Sequence, residues 1–196
     1  MIELLTAGLD WRTARLPAAN ADLERARLGL DPATGARLAL VRFPAGWRRE
    51  ARGFYDVGEE FVVVAGRIWV SSISYRAGHY GWIPPGGFRH DASSPAGAVA
   101  LTWFAGRPKW TDADGGRPLG PSLRAPLDTL VLPAAGMPLR GGGPGHQHGR
   151  TALLPETPST VEPGGDVLWV GGWRWHRAAA GEPLPDRTGR VLVRTG

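Results

Sequence analysis

Apolar and polar residues alternate in short runs along this chain, separated by glycine and proline. EEFVVVAG (59–66), RIWVSSISY (67–75), GAVALTWFAG (97–106), DTLVL (128–132), DVLWVGGWRWH (166–176) and RVLVR (190–194) all read as strands. Helical spacing occurs only over 20–29. There, residues 24–30, the turn residues DPATG (31–35) and ARLALVRF (36–43) read better as a hairpin, because Asp-Pro and Gly supply the turn. Many short strands with turn residues between them predict an antiparallel sandwich or barrel. Residues 107–126 carry no apolar periodicity and are expected to form a connector or flap between a module over 1–106 and another over 127–196.

The second module echoes the first. GEEFVVVAGRIWVSS (58–72) lies over GGDVLWVGGWRWHRA (164–178) without a gap, bringing Glu60 over Asp166, Gly66 over Gly172 and Trp69 over Trp175. Upstream, GARLALVRFP (35–44) shares its cadence with HGRTALLPET (148–157). Two related β-modules, the second shortened, are expected.

Composition narrows the chemistry. Glycine and proline make up about a quarter of the chain, close to the level that signals low complexity, yet organised apolar runs and nine tryptophans lie between them. The net charge of +5 is carried almost wholly by arginine, since Lys109 is the only lysine, and no basic run accompanies it. This does not read as a nucleic-acid footprint. The basic–aromatic stretch GGWRWHR (171–177) could stack on bases, but strand tryptophans are more often buried. With zero cysteines, disulfides, thiolate nucleophiles and Cys-ligated zinc drop out, which fits a reducing compartment. The start lacks the pattern of a signal peptide, and no run reaches the roughly 18 apolar residues of a membrane span. A cytoplasmic protein is expected.

The chain resembles the cupin superfamily, in particular bicupin-like proteins similar to the cupin part of ChrR anti-sigma factors. The family's first motif is Gly, five residues, His-x-His, three or four residues, Glu, six residues, Gly; Gly46, Glu59 and Gly66 fall on that spacing. Its second motif resembles Gly78, Pro85, Gly87 and His90 in GHYGWIPPGGFRH, with one extra residue. The match covers about residues 31–106, and the rest only through the internal repeat. The resemblance implies an all-β jelly-roll β-barrel with a second, shortened module, a degenerate bicupin. It also implies a homodimer, since cupins commonly pair through their sheets.

The departures bear on function. The first-motif histidines are absent; Arg52 and Phe54 hold their places, or Gly53 and Tyr55 if the turn is one residue longer. A divalent metal in such a barrel needs about three or four N/O ligands, and Glu59 with His90 alone falls short, so no metal cofactor is expected in the first barrel. Glu59 and His90 would instead face the interior as an imidazole base oriented by a carboxylate, with Tyr55 as proton donor. The alternative is that they are relics in a closed core. Trp47, Trp69, Trp82 and Trp103 are expected at the barrel mouth, shaping a pocket for a flat apolar or aromatic substrate whose polar end meets His79, Tyr75 or Arg49. His146 and His148 could chelate an ion with His176 or Glu156, but their glycine-rich setting reads as a loop tip.

A small-molecule enzyme results, doing metal-independent acid–base chemistry such as isomerisation, cyclisation or dehydration, in keeping with bacterial secondary metabolism. Two rivals stand beside it: a metal-dependent cupin enzyme such as a dioxygenase, and a non-catalytic ligand sensor or partner-binding module.

Overall fold

The structure is a computed structural model and describes residues 1–6, 8–141, 149–185 and 188–195. Among the described residues there is no helix. The strands, in chain order, are β1 (Ile2–Glu3), β2 (Trp11–Ala14), β3 (Leu23–Leu30), β4 (Arg37–Arg49), β5 (Gly53–Tyr55), β6 (Glu59–Val70), β7 (Ile73–Arg76) and β8 (His79–Ile83). They continue with β9 (Ala92–Phe104), β10 (Trp110–Asp112), β11 (Leu123–Pro126), β12 (Met137–Arg140), β13 (Arg150–Leu154), β14 (Gly165–Trp169), β15 (Arg174–Ala178) and β16 (Val191–Thr195). The chain divides into two compact units, Gly8–Arg124 and Ala125–Gly196 together with Met1–Ala7.

In the first unit the large sheet runs β11-β8-β6-β9-β4-β3-β2, with β7 added on β6, while β10 and β5 form a two-stranded sheet. The architecture is an antiparallel jelly-roll barrel. The expected hairpin is present: β3 and β4 pair antiparallel out to Leu30 and Arg37, and Asp31 fastens the intervening turn through Thr34 Oγ1 at 2.6 Å and the Ala33 N–H at 2.8 Å. The 107–126 stretch is not featureless, since it holds β10, which pairs with β5, and β11.

Valine and aromatic residues favour the pleated, half-buried surface of β6, and its period of two sorts them onto opposite faces. Phe61 and Val63 turn toward the barrel interior, where they pack with Trp47, Tyr75, Ile83 and Ala98. Gly66, at φ 70°, sits in a register shift where a Cβ would run into the Gly97 carbonyl, so only glycine fits this bulge.

The second unit is a six-stranded antiparallel sheet in the order β1-β15-β14-β16-β13-β12, with a core of Val161, Val167, Trp169, Ala178 and Val191. The expected strand at 128–132 is a turn instead. The Leu130 N–H bonds the Pro126 carbonyl at 3.0 Å and Val131 is 87% exposed. Leu127 alone buries its side chain, and Pro133 lacks the donor a continuing strand would need.

Candidate functional site

Side chains from several strands converge inside the first barrel. Arg49 ends β4, Tyr55 ends β5 and Glu59 opens β6; Arg89 follows β8, bridged to Gly53, and Trp110 on β10 lies directly across from Tyr55. Gly53 is required at that approach: its φ is 154° and a Cβ would meet the Thr111 carbonyl. On β4, Trp47 and Arg49 share the buried face while Arg48 between them is exposed.

Glu59 Oε2 accepts a bond from Arg89 Nη1 at 2.6 Å, in an ion pair whose side chains are only 8% (Arg89) and 18% (Glu59) exposed. Arg89 stacks 4.7 Å from the Tyr55 ring centre, and Arg49 lies 3.7 Å over the Trp110 ring and 5.9 Å from that of Tyr55. Arg49 Nε donates to the Pro17 carbonyl at 3.0 Å. Burial pushes the Tyr55 phenol above its ordinary value, reinforced by Glu59 and opposed by Arg49 and Arg89. Burial likewise raises Tyr75. Arg49 is lowered chiefly by burial, the nearby Tyr55 opposing it. His79, buried on β8, accepts from Arg124 Nε at 3.2 Å through Nδ1. A phenol, a carboxylate and two guanidiniums thus lie together, a set able to donate and accept protons at a bound molecule.

The expected Glu59–His90 pair is not assembled. His90 Nδ1 lies 2.7 Å from Asp91 Oδ2 at a partly exposed position, while its neighbour Arg89 takes the interior place beside Glu59. The residues carried a usable signal. Counted from Pro84 instead of Pro85, the second motif runs Gly78, five residues, Pro84, Gly86, and reaches Arg89 with no extra residue. A slip of one residue exchanges interior for exterior.

The tryptophans divide in the same way. Trp82 and Trp103 pair across from Glu60, on the face opposite to Glu59, and Trp69 pairs with Ser74 and Ser93 toward the far end of β6. Trp47 alone of the four lies on the interior face, packed edge-on against Phe43 at 4.8 Å. The tryptophan beside Tyr55 and Arg49 is Trp110, which lies in the stretch without periodicity. Glu60 itself is buried and bonded to the Tyr80 hydroxyl at 2.7 Å. In the second unit His176 Nε2 meets Glu182 at 2.9 Å and Trp175 is buried, donating to Asp166 at 3.2 Å. His146 and His148 lie outside the described residues.

A metal of the family type does not fit this donor set. Glu59 is already bound to a cation, and the residues around it, Tyr55, Arg49 and Arg89, offer a divalent ion few ligands. Among the described residues no group of three or more His, Asp or Glu side chains could hold an ion.

No protein-family model matches the chain, and no curated protein matches it by sequence. Solved structures do. A candidate dioxygenase from Nostoc punctiforme superposes with a TM-score of 0.71 at 19% identity, covering 95% of this chain and 77% of that one. This chain has the cupin fold. Protein Ylba from E. coli superposes with a TM-score of 0.53 at 12% identity, over 94% of this cupin-fold chain and 82% of its own. Among the described residues no helix is long and apolar enough to cross a membrane.

Proposed function

We propose that the first unit of this cupin-fold chain is a small-molecule enzyme that works by proton transfer without a family-type metal. The observation that carries this reading is the buried Arg89–Glu59 ion pair, which sets a guanidinium against a carboxylate inside the barrel. Tyr55 is the proton donor: its phenol lies under the Arg89 guanidinium, and the two guanidiniums stabilise an oxyanion formed on the substrate. Glu59 is the acceptor: Arg89 occupies Oε2 and leaves Oε1 for the substrate. His90, paired with Asp91, serves outside this set. The reaction class is isomerisation, cyclisation or dehydration.

The second reading is a metal-dependent dioxygenase, suggested by the name of the Nostoc protein. Its weakness is the ligand set. We further infer that the second unit is a shortened copy of the first, because the order β6-β9-β4-β3 reappears as β14-β16-β13-β12.

Deuterium incorporation from D2O into a panel of small carbonyl compounds, followed by proton NMR, tests the acid–base reading even while the natural substrate is unidentified. Chelator-treated protein should retain exchange on its substrate, and Tyr55→Phe and Glu59→Gln should each lower the rate by about a hundredfold or more. Activity that disappears on chelation and returns with one equivalent of a transition metal would establish the dioxygenase-type reading instead.

A further inference from the structure

We propose that the arginine cluster inside the first barrel binds a carboxylate, gripped side-on by Arg89 and completed by Arg49. This rests on the reading of the barrel as a small-molecule site, but not on its chemistry being proton transfer. Arg89 and Arg49 are each only 6% exposed. Arg89 Nε and Nη2, and Arg49 Nη2, are fully buried and have no hydrogen-bond partner among the described residues, and neither does Trp47 Nε1 two residues before Arg49. Burying a guanidinium with unmet donors is costly, and native interiors seldom leave such groups unsatisfied. Stacking on Tyr55 and Trp110 covers the faces of the two guanidiniums, and these three nitrogens stay unmet.

The pattern of unmet atoms specifies the ligand. Glu59 holds Nη1 of Arg89, which fixes the guanidinium plane, and the two nitrogens left over are Nε and Nη2. Those two form the side-on fork that matches the two oxygens of a carboxylate. Pro17 similarly occupies Nε of Arg49 and leaves Nη2. Charge points the same way. Two guanidiniums stand around the Tyr55 ring against the single Glu59 carboxylate, so an anion is favoured there. Tyr55, itself uncharged, stands beside the fork, where the remainder of the ligand would meet its hydroxyl.

Titration calorimetry of the full chain with acetate and benzoate, each against its neutral amide, and with inorganic phosphate tests the proposal. Benzoate should bind at one site, at least about tenfold more tightly than benzamide. Arg49→Leu and Arg89→Lys should each weaken benzoate by about tenfold or more while the circular dichroism stays unchanged. The proposal is overturned if the amides bind as well as the acids, if Arg49→Leu leaves benzoate affinity unchanged, if phosphate binds more tightly than either acid, or if neither acid saturates. Carboxylate binding without deuterium exchange would refute the proton-transfer reading alone. Exchange on neutral carbonyl compounds without carboxylate binding would refute the present one alone.

Discussion

Tyr55 and Tyr75 link the site to pH. Burial is the largest cause of the rise in both phenols, so each keeps its proton in the folded chain at pH values where the unfolded chain, near its ordinary 10.0, has lost it. The stability they contribute is complete below pH 10 and is lost as pH climbs through the folded values. Urea midpoints measured from pH 8 to 11.5 should therefore fall beyond about pH 10, and Tyr55→Phe should flatten the fall; an unchanged slope in that variant would sink the assignment. Arg89 bears on stability through its ion pair. Removing it as Arg89→Met leaves the Glu59 carboxylate half-enclosed without its cation, a loss of about 2–3 kcal/mol, at or below the lower end for buried pairs because Glu59 keeps some contact with water. Arg89→Met combined with Glu59→Gln should recover part of that loss in the same urea experiment.

Among the elements, the three-residue strand β5 decides whether a site exists. It sets Tyr55 against Trp110 at 5.0 Å between ring centres and brings Gly53 under the β10 backbone. Gly53→Ala should cost several kcal/mol or detach β10, read as a lower thermal midpoint with loss of the near-ultraviolet signal of Trp110. A variant with both signals unchanged would show that the close approach is dispensable. β5 also shows what the sequence reveals and what it conceals. The long strands β4, β6 and β9 are legible because apolar alternation over many residues outweighs local noise, and the same reading singles out Glu59, Tyr55 and Arg49 as candidates. Arg89 was concealed because a Pro-Pro pair offers two starting points for one motif, and the choice reverses which of two adjacent side chains turns inward. Trp110 was concealed because a strand of three residues has too little length for any period to show, and its partner β5 lies far away in sequence.

Across the molecule, part of the +5 charge is gathered around the β3–β4 turn. Arg25 and Arg27 on β3, Arg37 on β4 and Arg107 after β9 line a groove of about 410 Å³ whose only acid is Asp31. Asp31 is held by Thr34 and the Ala33 amide, and the turn it fastens leaves the guanidiniums uncompensated. Arg37 registers the crowding, being lowered first by burial and then by Arg25, Arg107 and Arg27. Like charges in a partly solvated groove repel by a few tenths of a kcal/mol per pair, and salt screens them within about 10 Å at 0.1 M. Arg27 is exposed, so replacing it costs little packing. Arg27→Gln should consequently raise stability by about 0.5 kcal/mol in dilute buffer, and the gain should shrink as salt is added. Urea unfolding of wild type and variant at low and high salt separates the terms. A gain equal at both ionic strengths would trace to propensity or packing, and a loss at low salt would mean that the guanidiniums are not in net repulsion.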